Sequence, residues 1–83
     1  MINVNEIKKV DCLYTSQLYK NYYAVDVFIE RGGIIFKLRY PYNLQDKAKQ
    51  AMRAMQDKRQ QDIPEPDYKP YIWMVGAYNQ KAM

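Results

Sequence analysis

Side chains able to do covalent or metal chemistry are scarce in this chain, because it has no histidine and one cysteine. Nucleophile pairs that rely on histidine and histidine-containing zinc sites are therefore excluded. Cys12 has no histidine to activate it, so we expect a small buried hydrophobe. Asp62, Glu65 and Asp67 lie in a proline-rich stretch without the spacing of a calcium loop, and no glycine-rich phosphate motif is present. The sequence therefore predicts no enzyme activity, no metal and no cofactor.

Basic and aromatic side chains are more abundant. Thirteen Lys and Arg against nine Asp and Glu give a formal net charge of +4, and there are nine tyrosines and one tryptophan. Such a set can join phosphate contacts to base stacking in a small nucleic-acid-binding domain. Tyrosine, tryptophan and arginine also dominate protein–protein hot spots, because a rigid ring buries much area with little loss of entropy. Composition alone leaves both classes of partner open.

The clearest element that positions these side chains is a β-hairpin within residues 21–42. Two apolar, β-branched segments flank Gly32 and Gly33, which is a strong signal for a two-residue hairpin turn. That turn aligns three apolar pairs on one face: Ile29 opposite Phe36, Val27 opposite Leu38 and Val25 opposite Tyr40. A slip of one residue would turn this apolar set to water, so the hydrophobic pattern fixes the register.

The other face of the predicted hairpin mixes charged and apolar side chains. The pairs are Asp26 opposite Arg39, Phe28 opposite Lys37, and Glu30 diagonal to Lys37 and beside Ile35. Phe28 and Ile35 are either ordinary scattered apolar residues at the surface or part of a half-apolar binding face. Because this side is predicted to face solvent, we expect Lys37→Glu with Arg39→Glu to weaken a partner complex while leaving the melting temperature nearly unchanged.

The segments before the hairpin are less periodic. Residues 10–15 alternate as a strand does, and residues 16–21 would connect that strand to the hairpin. Residues 1–9 fit either a short helix capped by Asn3 or Asn5, or a strand in which Ile2 and Val4 alternate. Both alternatives stay open for these residues.

A helix is predicted over residues 43–61. Pro41 ends the preceding strand, Asn43 offers a capping side chain, and Asp46 follows near the positive end of the helix dipole. Lys58 and Arg59 would lie in the last turn, where cations are favourable. The predicted apolar stripe consists of Leu44, Ala48, Ala51, Met52 and Met55. A stripe of small and flexible residues predicts a thin contact between this helix and the sheet.

The last predicted strand, residues 71–78, is apolar on both faces. A stiff, extended connection with three prolines, residues 62–70, leads into it. One helix covers only one face of a sheet, so part of this strand should remain available to a partner. The large rings near the hairpin and the last strand also exceed what a small core encloses: Tyr19, Tyr22, Tyr23, Tyr40, Tyr42, Tyr68, Tyr71, Trp73 and Tyr78.

Together these elements predict one α+β domain, residues 1–83, of order β-β-β-α-β, with a small antiparallel sheet and one helix packed on one face. We expect a stoichiometric inhibitor or modulator of another protein; a small basic nucleic-acid-binding domain is the alternative. The partner-binding residues that we expect are Phe28, Ile35, Lys37, Arg39, Tyr71 and Trp73. An exposed edge strand would also allow a homodimer.

The sequence also bears on the compartment. No apolar run approaches the roughly 20 residues of a membrane span, and the N-terminus lacks the apolar core of a signal peptide. A single cysteine excludes an internal disulfide and fits a reducing cytosol. We therefore expect a cytoplasmic protein without membrane contact.

The overall build resembles a group of known inhibitors. A short chain with a few strands, one helix rich in alanine and methionine, and a closing strand is similar to small phage-encoded anti-defence inhibitors such as the anti-CRISPR proteins. That resemblance implies a partner in a host nuclease complex. Residues 66–71, PDYKPY, are also similar to the segment PEYKPW before the last strand of phage inhibitors of uracil-DNA glycosylase. Those inhibitors are acidic DNA mimics whereas this chain is basic, so no functional residue is carried over from them.

Overall fold

Five antiparallel strands form one sheet in the part of the chain that the computed structural model describes, residues 2–11, 14–16 and 22–77. The strands are β1 (Ile7–Val10), β2 (Tyr14–Ser16), β3 (Tyr22–Arg31), β4 (Ile34–Tyr42) and β5 (Tyr71–Ala77), and helix α1 (Gln45–Gln56) lies between β4 and β5. The strand order is β1-β3-β4-β5, and β2 also pairs with β3. The predicted α+β class, with an antiparallel sheet and one helix on one face, is confirmed. The predictions for Cys12, Tyr19, Tyr78 and the side chain of Tyr22 lie outside the described residues.

The β3–β4 hairpin has the predicted register. Ile29 pairs with Phe36, Val27 with Leu38, Val25 with Tyr40, Asp26 with Arg39 and Phe28 with Lys37. Gly32 and Gly33 make the turn with φ angles of 62° and 81°, and positive φ at both central positions defines a type I′ turn. Glu30 pairs with Ile35 and is therefore diagonal to Lys37, as predicted. The Glu30 carboxylate accepts a 2.8 Å hydrogen bond from the Gly33 N–H, and Lys37 pairs with Asp26.

The N-terminal residues combine the two alternatives left open by the sequence. A 3₁₀ helix, Val4–Glu6, is capped by Asn3, whose side chain accepts a 3.0 Å hydrogen bond from the Asn5 N–H. Strand β1 follows directly. The bounds predicted for the first strand, residues 10–15, are wrong, because β1 and β2 are two short strands that both pair with the ten-residue β3.

Strand β4 continues through Pro41 to Tyr42, so the prediction that Pro41 ends the strand is wrong. Pro41 pairs with Ala24 of β3, and its carbonyl accepts a 3.0 Å hydrogen bond from the Asp67 N–H, on the side away from β3. The nitrogen and carbonyl of one strand residue point to the same side, so the missing proline N–H removes no bond to β3.

Helix α1 begins two residues later than predicted. Asn43 is not its cap, because the Asn43 N–H donates a 2.8 Å hydrogen bond to the Asp67 carboxylate. Leu44 takes the N-cap position in an extended conformation without a side-chain cap. Leu44 therefore does not join the apolar stripe, and its side chain is 61% exposed.

The helix also ends five residues earlier than predicted, at Gln56. Lys58 adopts a left-handed conformation with φ of 56°. The Lys58 N–H donates to the Met55 carbonyl at 3.2 Å, and the Arg59 N–H donates to the Ala54 carbonyl at 2.8 Å. These two bonds form a Schellman motif, which usually has glycine at the left-handed position. Because lysine occupies that position, the sequence contains no glycine to indicate where the helix ends.

A narrow stripe of α1 packs on the sheet. Its buried members are Ala48, Ala51, Ala54 and Met55, and Met52 is half-buried. All of them except Ala54 pack in one cluster with the apolar face of the hairpin and with Ile2, Val4 and Ile7 from the N-terminal segment. The Gln60 side chain fixes that segment by donating to the Ile2 carbonyl at 2.8 Å and accepting from the Val4 N–H at 2.9 Å. The core is therefore centred on β3 and on the β3-facing part of β4.

Strand β5 lies at one edge of the sheet. Beyond a 3₁₀ turn at Gln60–Asp62, residues 63–70 contain neither helix nor strand, as predicted. Strand β5 pairs with β4 from Tyr71 opposite Arg39 to Ala77 opposite Ile34, with a register shift between Ile35 and Phe36. Among the described strands, β4 is its only neighbour. The described residues contain no helix that is long and apolar enough to span a membrane.

Candidate protein-binding surface

The sheet face opposite α1 carries all six predicted partner-binding residues, and we call it the open face. They are Phe28 on β3, Ile35, Lys37 and Arg39 on β4, and Tyr71 and Trp73 on β5. The hairpin register and the β4–β5 register together produce this grouping, because Lys37 pairs with Phe28 on one side and with Trp73 on the other. Because alternate residues of a strand lie on the same face, Phe28, Lys37 and Trp73 form one row across three strands of the sheet.

A buried ion cluster lies at the centre of the open face. Asp26 is 3% exposed, and Arg39 donates to its two carboxylate oxygens through Nε at 2.8 Å and Nη2 at 2.9 Å. Lys37 Nζ lies 3.4 Å from the same carboxylate. Burial raises the pKa of Asp26, while the Lys37 charge acts in the opposite direction.

The ion cluster corrects the expectation for the double charge reversal. Replacing Lys37 and Arg39 by glutamate would leave the buried Asp26 carboxylate without either cation and among like charges. A buried charge without its partner is strongly destabilising. Lys37 and Arg39 therefore hold the sheet together as well as forming its surface, and their charge reversal cannot serve as a pure binding test.

Aromatic rings sit on either side of these cations. Lys37 Nζ lies 5.6 Å from the centroid of the Phe28 ring and 5.6 Å from that of the Trp73 ring. The Arg39 guanidinium is 5.5 Å from the Trp73 centroid, and Lys9 Nζ is 5.7 Å from Phe28. Cation–π attraction at such distances is worth on the order of 0.5–1 kcal/mol per contact at exposed sites. These contacts favour the observed positions of the Phe28 and Trp73 rings on the open face.

The large rings divide between the core and the surface. Tyr40 and Tyr42 are buried, and the Tyr42 hydroxyl donates a 2.8 Å hydrogen bond to the Pro64 carbonyl. Burial raises the pKa of both hydroxyls. Tyr68, Tyr71 and Trp73 are exposed, and Tyr71 meets Trp73 edge to face with ring centroids 6.4 Å apart. Among the described rings, the exposed ones therefore lie on β5 and in the segment before it.

The helix-side face of β5 is also uncovered. Ile72 pairs with Leu38 and Met74 with Phe36, which places both on the face that carries α1. The helix packs on β1, β3 and β4, however, and Met74 remains 67% exposed. Five successive apolar residues, 71–75, are exposed in all, with Trp73 the least exposed at 43%.

Sequence reasoning missed three parts of this surface. Lys9 was not predicted because the pairing of β1 with Phe28 requires the bounds of β1. Asp26 was predicted only as the cross-strand partner of Arg39. Its burial was missed because the exposure of a strand residue depends on the packing of side chains around it. Ile72 and Met74 could have been predicted from the sequence, because the alternation along residues 71–78 places them on the other face of the strand from Tyr71 and Trp73.

A groove of about 500 Å³ lies elsewhere, between α1 and the 3₁₀ turn at Gln60–Asp62. It is lined mainly by charged side chains of both signs, among them Lys49, Arg53 and Asp46. Arg59 at its rim lies 3.5 Å from both Asp57 and Asp62. Across the described ranges, no group of three or more carboxylate or cysteine side chains is arranged to hold a metal ion.

Comparison of the chain with protein-family models, with curated proteins and with solved structures found no match in any of the three.

Proposed function

We propose that this chain is a protein-binding module that inhibits or modulates another protein through the open face and β5. The observation that carries the proposal is the run of exposed apolar residues at 71–75 on an edge strand. Single exposed apolar residues are ordinary, but a contiguous apolar patch on a small protein is typical of an interaction site. The protein would act by occupying a surface of its partner and not by catalysis.

The chemistry beside that patch supports a protein partner. Trp73, Tyr71 and Arg39 belong to the three residue types that are most enriched at hot spots. Arg39 is positioned by Asp26, Trp73 contacts Lys37 and Arg39 through cation–π interactions, and Tyr71 packs edge to face on Trp73. A surface that is ordered before binding loses less conformational entropy when the complex forms.

The same contacts weigh against the nucleic-acid alternative. A phosphate-binding surface directs its cations outward, and a base-stacking surface leaves ring faces accessible. Here Lys37 and Arg39 turn toward the Asp26 carboxylate, and both also lie over the Trp73 ring. The Asp26 carboxylate partly neutralises the charges of Lys37 and Arg39, so we favour a protein partner over nucleic acid.

The resemblance to phage-encoded anti-defence inhibitors makes a host nuclease complex the first partner to test, and we retain the cytoplasm as its compartment. The proposal is tested by affinity capture from host lysate, before and after nuclease treatment. Wild type is compared with Trp73→Ala and with a control, Leu44→Ala, because Leu44 is exposed at the start of α1 and away from the open face.

The expected result is one protein captured at a constant ratio by wild type and by Leu44→Ala, with or without nuclease. Trp73→Ala should bind it at least about tenfold more weakly, since loss of a hot-spot ring costs more than about 1.4 kcal/mol. Circular dichroism at equal concentration shows whether each variant is folded. Capture that disappears after nuclease treatment would favour nucleic acid, and equal binding by folded Trp73→Ala would contradict the proposed surface.

A further inference from the structure

The two edges of the sheet differ in their protection against pairing with another strand. An edge strand presents a row of unpaired backbone N–H and C=O groups, and natural proteins commonly place charged residues, especially lysine, along it. Strand β1 carries Lys8 and Lys9 in four residues. Strand β5 has no charged residue from Tyr71 to Ala77, and in the described part of the chain it pairs only with β4.

We propose that β5 pairs antiparallel with β5 of a second copy of this chain, so that the two sheets join edge to edge in a symmetric dimer. The interface shares β5 with the partner surface proposed above, so the two contacts would compete for this strand; the dimer itself does not depend on that function and is tested on the purified chain alone. An isologous contact uses the same strand in both copies and closes after two molecules. Pairing of β5 with the lysine-bearing β1 edge would instead be heterologous and would not close after two molecules.

The register follows from the alternation of side chains. Residues directly opposite each other in an antiparallel pair lie on the same face of the sheet. With Trp73 on the two-fold axis, it faces Trp73 of the second copy on the open face, and Ile72 faces Met74 of the second copy on the helix side. Each of these pairs is apolar, and no like charges meet. The register shift opposite Ile35 and Phe36 ends the regular part of β5 beyond Met74, so the pairing centres on residues 72–74.

The available area suits a weak dimer. The five exposed side chains at 71–75 are each about half exposed, and at about 200 Å² for a large side chain they offer at most roughly 500 Å² per copy. Two copies together reach at most about 1,000 Å², the lower limit of specific interfaces. We therefore expect a dissociation constant in the micromolar range, and in the dimer the two open faces form one continuous surface.

The purified chain reports on this pairing directly, because Trp73 is its only tryptophan. Light scattering after size exclusion should give twice the 10.0 kDa of one chain at high concentration and one chain after dilution. The Trp73 fluorescence emission maximum should move to longer wavelength over the same dilution, because the ring becomes more exposed to solvent when the dimer dissociates. A monomer at every concentration up to about 500 µM, where a micromolar dimer is saturated, would overturn the proposal.

Two lysine variants separate β5 from other surfaces. Met74→Lys places a charge on the proposed interface and should raise the dissociation constant at least about tenfold, as a charged edge does. Leu44→Lys adds the same charge at a residue of similar exposure outside β5 and should leave dimerisation unchanged. If Met74→Lys fails to fold, Ile72→Lys makes the same test. Dimers that persist in a folded β5 variant, or that dissociate equally in Leu44→Lys, would overturn the inference, whatever the outcome of the capture experiment.

Discussion

The apolar residues of strands β3 and β5 lie in opposite environments. Both strands are rich in apolar and β-branched residues, yet Val25, Val27 and Ile29 of β3 are at most 1% exposed, whereas every residue of β5 from 71 to 75 is at least 43% exposed. The difference comes from their neighbours. Strand β3 lies between β1 and β4 beneath α1, and β5 has β4 alone within the described residues. Hydrophobicity therefore predicts that a strand is stabilised by burial of its side chains. The sheet topology decides whether other elements of the same molecule bury them.

Two methionines test this contrast with the largest expected effect. Met55 of α1 is fully buried and Met74 of β5 is 67% exposed. Met55→Ala should lower the free energy of unfolding by about 3 kcal/mol, because it leaves a cavity in the core. Met74→Ala should change it by less than about 0.5 kcal/mol. Urea denaturation measures both, at concentrations where the chain is monomeric. Similar losses in the two variants would mean that β5 is covered in the monomer.

Two arginines make the same comparison for charge. Arg39 and Arg31 each bind a carboxylate through two nitrogens, but Asp26 is buried whereas Glu6 and Arg31 are partly exposed. Arg39→Ala should cost about 2–3 kcal/mol, because the buried Asp26 keeps only Lys37. Arg31→Ala should cost less than about 1 kcal/mol. Urea denaturation of both variants tests the role of the ion cluster, and equal costs would show that the open face is not organised around Asp26.

Asp67 helps to set where α1 begins, and therefore how much of the sheet the helix covers. The Asn43 N–H and the Lys47 ammonium hold the pKa of Asp67 below its usual value. A depressed carboxyl pKa stabilises the fold above the unfolded pKa of about 3.9, and this contribution is lost as the pH falls through the folded value. Asp67→Asn should therefore cost about 1 kcal/mol at pH 7 and progressively less below about pH 4.

Denaturation of wild type and of Asp67→Asn across this pH range measures the effect. Asp57→Asn is the matched control, because Asp57 is exposed and lies 3.5 Å from Arg59. Its stability at pH 7 should stay within about 0.5 kcal/mol of wild type. If the difference in free energy of unfolding between wild type and Asp67→Asn stays constant with pH, the charge of Asp67 does not contribute to stability.

Lys58 sets where the helix ends, and it gives the smallest expected effect. Lysine at φ of 56° occupies a conformation that glycine adopts without steric cost. Lys58→Gly should therefore raise the free energy of unfolding by about 0.5–1 kcal/mol, as measured by thermal or urea denaturation. Lys58→Ala removes the same charge without relieving the backbone and should give no gain. Equal stability of the two variants would mean that the left-handed turn carries no strain.

The hairpin was predictable residue by residue, because Gly32 and Gly33 and the alternation around them fix both turn and register. The grouping of the six open-face residues followed once the last strand paired with β4. The helix bounds were not predictable, because its ends depend on Asp67, distant in sequence, and on a lysine in a position that usually holds glycine. The depth of Asp26 also depends on packing from several strands, which no local pattern encodes.

The open face and β5 are the surface that we propose binds another protein. Hydrogen exchange is measured at a concentration where the chain alone is monomeric, without its captured partner and saturated with it. It tests this most directly, because unpaired edge amides exchange rapidly until they are covered. The account predicts that protection rises at residues 71–75 and at the open-face positions of β4, while the solvent side of α1 stays unchanged. Protection confined to α1 and the charged groove beside it, with β5 unchanged, would contradict the claim.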